Sequence, residues 1–197
     1  MGFSVGNQER NGLWHSFKNG DKDAFAAIYT LHVKDLLNYG YKVTSDRSLI
    51  EDSIQDLFVE LWQSRSNVSE TTSIKFYLFK ALRYKITRNV KQNELAGAEN
   101  IEFLNHFTYF QEDTFPSGVD VQSVQMKNLR ELIQKLPKRQ QEAVNLRYFH
   151  NFSNEEVAQI MGVNYQSACK FIYTALKKLK LNLRVSIACF TFFLIFF

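Results

Sequence analysis

Residues 152–180 read FSNEEVAQIMGVNYQSACKFIYTALKKLK, two short helical patterns hinged on one glycine. Ser153 and Glu156 stand at capping-box spacing, in which a hydroxyl and a carboxylate each satisfy the other residue's backbone N–H, and Phe152 and Val157 are spaced as a hydrophobic staple. A helix is therefore expected from Asn154, with Val157, Ala158, Ile160 and Met161 on one apolar face. Its stop is Gly162, the residue type that accepts the left-handed conformation past a helix end. Asn164 is placed to cap a second helix. That helix, Tyr165 to about Arg184, carries Lys170, Lys177, Lys178, Lys180 and Arg184 and no acidic residue. Two helices joined by a short Gly turn form a helix-turn-helix, whose second helix enters the DNA major groove with its N-terminal residues at base edges. An ordinary helical hairpin with a solvated basic face would share the turn. The capping box, the short turn and the one-signed charge together favour DNA.

The chain has 197 residues, 45% of them hydrophobic, enough for one good core or two small ones. Only two prolines and eight glycines argue against a many-turned β protein. A net charge of +4 is mild, but it averages basic segments with an acidic one, and that segregation points to nucleic acid. Cys169 and Cys189 lack metal-ligand spacing and read as small apolar fillers in a reducing compartment. Met1 to Arg10 has no apolar run, so no signal peptide and a cytoplasmic location are expected.

The segment Asn93 to Gln125 holds six acidic residues and no Lys or Arg, with a Pro116-Ser117-Gly118 breaker. It reads as a linker whose aromatics, Phe103, Phe107, Tyr109, Phe110 and Phe115, imply that part of it packs. Ahead of it, Leu13 to Phe17 leads into Gly20, and Asp21 or Asp23 can cap a helix containing Phe25, Ile28, Tyr29, Leu36 and Tyr39. Ser48, with Glu51 as capping-box partner, is expected to open the next. There Ile50, Ile54, Leu57, Phe58 and Leu61 form the apolar face, and Asp52, Asp56 and Glu60 recur on the other.

After a polar loop, Gln63 to Ser73, comes a helix of different character. Ile74 to about Lys91 bears Lys75, Lys80, Arg83, Lys85, Arg88 and Lys91 without an acid, interleaved with Phe76, Tyr77, Phe79 and Tyr84. Basic side chains neutralise phosphates and aromatic faces receive unstacked bases, a combination suited to opened nucleic acid. Past the linker, Met126 to Leu136 reads as a helix, and Pro137 as the first residue of another that runs to about Phe149 and buries Val144, Leu146 and Tyr148. The expected fold class is all-α: two small helical domains joined by a linker, the C-terminal one a helix-turn-helix.

This order of parts resembles the extracytoplasmic-function group of bacterial RNA polymerase sigma factors. Ile50 to Trp62 looks like that family's polymerase-binding helix, and Phe76 to Val90 like its helix for opening and reading the minus-ten element. Leu136-Pro137 through Leu179 looks like the domain that reads the minus-thirty-five element. The resemblance implies domains at 13–95 and 126–184, an acidic linker over 96–125 threading toward the polymerase active-site channel, and a hydrophobic tail over 185–197. It implies docking on core RNA polymerase through Asp52, Gln55, Asp56, Leu57 and Glu60. Lys80, Arg83, Tyr84, Lys85, Arg88 and Asn89 would hold the minus-ten strand with a base flipped into a pocket. Tyr165, Gln166, Ser167, Lys170, Tyr173, Lys177 and Lys178 would meet minus-thirty-five DNA, with Gln166, Ser167 and Lys170 nearest the bases. The implied partners are core RNA polymerase, promoter DNA and an anti-sigma factor. Cys169 and Phe171 depart from the basic or hydroxyl residues that relatives often carry at those positions.

A stand-alone helix-turn-helix regulator with an N-terminal sensor domain is the rival, and the basic aromatic helix speaks against it, since a sensor has no use for one. No enzyme activity, cofactor or metal is expected. His15, His32, His106 and His150 are scattered without catalytic partners and read as surface or boundary residues. The thirteen uncharged residues Val185 to Phe197 are too short to span a bilayer, which needs about 20. The helix from Tyr165 is expected to extend past Arg184, with Ile187, Phe190 and Leu194 on one side. Packing on its own domain, docking to a partner and shallow membrane contact stay open for it.

Overall fold

Apolar residues at three- and four-residue spacing build helices in both halves of the chain. The computed structural model describes the backbone of residues 5–95 and 128–196, and the side chains of 12–92 and 128–181. Among the described residues the regular elements are α1 (Val5–Lys18), α2 (Lys22–Val43), α3 (Arg47–Gln63), α4 (Ile74–Leu95), α5 (128–134), α6 (Lys138–Val144), α7 (Asn154–Met161) and α8 (Tyr165–Phe196), with no strand. The chain divides into two compact units, one built on α1–α4 and one on α5, α6, α8 and the first five residues of α7. The linker expected over 96–125 lies outside the described residues, as do the tail side chains Ile187, Phe190 and Leu194.

In the first unit, Gly20 turns the chain at φ +89°, and the Asp21 carboxylate then accepts from the N–H groups of Asp23 and Ala24 at 2.8 and 3.2 Å. α3 starts earlier than Ser48 would place it. Asp46 is its cap, accepting from Leu49 N at 3.0 Å, and Glu51, the expected capping-box partner, pairs with Arg47 instead at 2.7 Å. A carboxylate two residues upstream is a strong acceptor for the positive helix end and sets the start there.

The core of this unit is aromatic and branched aliphatic. Trp14, Phe17, Ile28, Tyr39, Leu78 and Ile86 are at most 1% exposed. α2 and α3 approach closely at Gly40, where an added Cβ would lie 2.5 Å from Ile50 Cγ2. α1 is fastened to the loop before α4. The Trp14 indole N–H donates to Ser69 O at 3.3 Å, and Lys18 pairs with Glu70 at 2.6 Å.

In the second unit Leu136, Val144, Ala175 and Leu179 are buried together, with Leu129, Leu132, Ile133 and Phe149 packed against them. Pro137 is the residue before α6, one place earlier than expected. The buried Gln141 amide donates to the carbonyls of Gln134 and Leu136 at 2.9 and 2.7 Å, satisfying the open end of α5. The single helix expected over 137–149 is instead α6 followed by a π-helical turn, Asn145–Phe149. That wider turn moves the residue in phase with Val144 from four places on to five. Phe149 therefore packs on the core, while Tyr148 is 50% exposed and not buried. His150, read as a surface or boundary residue, is buried beside Phe152.

Candidate nucleic-acid interface

The helix-turn-helix is assembled by the contacts its sequence spells out. Ser153 Oγ accepts from Glu156 N at 3.2 Å, and Glu156 Oε2 accepts from Ser153 N at 2.8 Å. Phe152 and Val157 are both buried beneath this box. α7 ends at Gly162, φ +62°, with Val163 N donating back to Ala158 O at 3.0 Å, the pattern of a Schellman closure. Asn164 Oδ1 then accepts from Ser167 N at 2.7 Å and opens α8.

α8 has two opposed stripes. Ala168, Ile172, Ala175 and Leu179 are buried, while Gln166, Lys170, Tyr173 and Lys177, two residues out of phase with them, are exposed. Each set follows the i, i+4, i+7, i+11 spacing of one helix face. Tyr165 and Lys178 are also exposed, and Ser167 is partly covered. A straight outward row of amide, ammonium, phenol and ammonium is a surface able to meet a polyanion and donate to base edges.

Cys169 is not an apolar filler. It is partly buried, and its Sγ accepts from Asn154 Nδ2 at 3.5 Å. A hydrogen bond between Cys169 and Tyr165 also pushes the Tyr165 hydroxyl above its ordinary range, with the charges of Cys169 and Glu155 adding to the effect. This cluster ties the first turn of α8 to the first turn of α7. Asn154 and Cys169 thus support the reading face without belonging to it, a role that spacing alone did not reveal.

In the first unit the acidic face of α3 alternates in pairs with its core face. Asp52, Gln55, Asp56 and Glu60 are exposed, and so is Val59 at 54%, a residue the acidic pattern missed. Leu57, which the resemblance placed among the docking residues, is 3% exposed. It belongs to the core, because its position shares the phase of Ile50, Ile54 and Leu61.

On α4, Ile74, Leu78, Leu82 and Ile86 are buried and Lys80, Tyr84, Arg88 and Lys91 are exposed at i, i+4, i+8 and i+11. Arg83 is partly covered. Among the aromatics of this helix, Phe79 lies in the core, while Tyr84 is 66% exposed. Two expected strand-holding residues face other duties: Lys85 pairs with Glu60 at 2.5 Å, and Asn89 Nδ2 donates to Ser53 Oγ at 3.3 Å. The Lys80 ammonium stands 5.7 Å from the centre of the Phe76 ring. In the loop between α3 and α4, Arg65 stacks over Trp62 at 4.5 Å and donates to its carbonyl at 2.8 Å, which shapes the loop beside the basic helix. Tyr77 is held protonated above its usual range by burial and by the charge of Glu60.

Comparison with known proteins adds a family to this geometry. Residues 28–95 match Sigma-70 region 2, and residues 126–179 match Sigma-70, region 4. The chain is 26% identical over 169 residues to the RNA polymerase sigma factor YlaC of Bacillus subtilis (strain 168), covering 84% of this chain and 95% of that protein. It is 24% identical over the same length to the sigma factor SigV of that organism, with the same coverage. Among solved structures, the fold is similar to the sigma factor RpoE in complex with the anti-sigma factor NepR from Bartonella quintana, with a TM-score of 0.60, 20% identity and coverage of 82% and 97% of the two chains. It is also similar to CnrH in complex with the cytosolic domain of CnrY, with a TM-score of 0.56, 17% identity and coverage of 89% and 97%.

Proposed function

This chain belongs to the sigma-70 family as an extracytoplasmic-function RNA polymerase sigma factor, and we propose that its two units divide promoter recognition between them. Residues 13–95 bind core polymerase and the opened minus-ten strand. Residues 126–184 read the minus-thirty-five element, and 96–125 connect the two. What supports this most directly is the presence of both family regions on one chain, in family order, over 28–95 and 126–179.

Within the first unit, Asp52, Gln55, Asp56 and Glu60 form the polymerase-facing surface, with Val59 as an apolar centre. The outward row Lys80, Tyr84, Arg88 and Lys91 takes the displaced strand, Tyr84 offering a face on which a base can stack. Arg83 extends that row. In the second unit, Gln166, Ser167 and Lys170 reach base edges, and Tyr165, Tyr173, Lys177 and Lys178 hold phosphates. Phosphate contacts set register and base contacts set sequence preference. The factor works in the cytoplasm, where polymerase and promoter meet, and an anti-sigma factor restrains it, as the anti-sigma complex of the structural relative suggests. Sigma factors are non-enzymatic initiation factors, and this chain has no reaction of its own.

Core RNA polymerase lacking a sigma factor, mixed with the purified chain and a promoter library, is the direct test. Run-off transcripts starting from a shared upstream motif are expected. Polymerase binding without transcription would reduce the chain to an accessory regulator. DNA binding without polymerase would favour the stand-alone regulator.

A further inference from the structure

Leu179 is the last described α8 side chain in the core of the second unit, yet the helix continues to Phe196. At 1.5 Å per residue, residues 185–196 add a rod of about 18 Å. Residues 185–197 read VSIACFTFFLIFF, with no charge and five phenylalanines. A helix that docks in a protein groove needs one apolar stripe and leaves the rest in water, whereas a helix apolar all round needs cover on every side, which hydrocarbon supplies.

Charge and length point the same way. Lys177, Lys178 and Lys180 are exposed, Arg184 follows, and no acidic residue occurs from 165 to 197. Lys178, Lys180 and Arg184 stand within two turns of the apolar rod and Lys177 one residue further, at the level of lipid phosphates when the rod is inserted. Residues 185–196 are fewer than the about 20 that a helical span needs, and their about 18 Å matches one leaflet, half of an about 30 Å hydrocarbon core. We propose that residues 185–196 insert into one leaflet of an anionic bilayer, with Lys177, Lys178, Lys180 and Arg184 as a collar on the headgroups. Lys177 and Lys178 cannot hold lipid and DNA phosphates at once, so bilayer capture withholds α8 from promoters. That consequence rests on the promoter reading, while lipid binding does not.

Flotation of the full chain on phosphatidylglycerol vesicles, without DNA, tests the insertion. Capture is expected on these vesicles and should fall at least about tenfold on phosphatidylcholine vesicles. A full-length variant with Phe192→Glu and Phe193→Glu, checked for a parental melting curve, should fall as far. Failure to float on anionic vesicles, equal capture by both lipids, or undiminished capture of the variant overturns the proposal. A discrete oligomer in vesicle-free solution that the variant dissolves would instead make a second copy the occupant. In a competition arm, anionic vesicles should weaken promoter-fragment binding by the parent and spare the variant; a parent that binds no promoter fragment even in holoenzyme would count against the promoter reading and leave the flotation result standing.

Discussion

Lys85 Nζ lies 2.5 Å from Glu60 Oε1, joining the basic helix α4 to the acidic face of α3 through one residue of each expected interface. The Lys85 side chain is only 16% exposed, so its charge is committed inside the protein, whereas Arg88 on the same helix is exposed.

Removing these two cations should have different consequences. Arg88→Ala should lower the salt slope of holoenzyme binding to pre-opened promoter DNA by about 1. Lys85→Ala should leave that slope nearly unchanged and cost about 1 kcal/mol or less of stability. Salt titrations of both variants decide the matter. An equal drop in slope for Lys85→Ala would put it back among the strand contacts.

Charge and core on α3 separate in the same way. Reversing Asp52 and Asp56 to Lys should abolish core-polymerase binding at an unchanged melting temperature, because exposed charges contribute little to folding. Leu57→Ala should cost about 2–5 kcal/mol, since it empties a packed site. Polymerase pulldown beside thermal melting reads both, and assembly of the doubly reversed protein with parental affinity would refute the docking face.

Along α8, Gln166→Ala should cost about 1–3 kcal/mol on the cognate upstream element and relax its base preference. Lys177→Ala and Lys178→Ala should weaken cognate and scrambled DNA alike and lower the salt slope by about 1. Equal losses on both DNAs for Gln166→Ala would end its role as a base reader.

Gly40→Ala is expected to destabilise the first unit even though alanine favours helix by about 1 kcal/mol. The new methyl would meet Ile50 Cγ2 at 2.5 Å, and Ile50 is fully buried and stiff at its branched Cβ, so α2 and α3 must separate. Overpacking of this kind costs about 1–3 kcal/mol. Urea unfolding measures the balance, and a raised midpoint would mean that the two helices can part freely.

Local chemistry was legible in the sequence wherever both partners of an interaction lie within a few residues. The Ser153–Glu156 box, the Gly162 stop and the Asn164 cap depend only on backbone N–H groups within one turn, and each forms as the spacing requires. Periodicity likewise separated the core face of α3 from its acidic face. It places Leu57 in the core, whereas the resemblance implies docking for that residue, and the buried position follows the periodicity.

What the sequence determined by itself was an all-α chain with a capped helix-turn-helix and a basic aromatic helix, because propensity, capping and charge act over one or two turns. Tertiary structure alone decided which charges are spent internally, as in Lys85 with Glu60 and Asn89 with Ser53, 25 and 36 residues apart. It also decided that Asn154, Cys169 and Tyr165 brace the start of α8, and that a π turn exchanges Phe149 for Tyr148 in the core. These outcomes depend on which helix faces meet across long separations, and that is set by packing whole helices together.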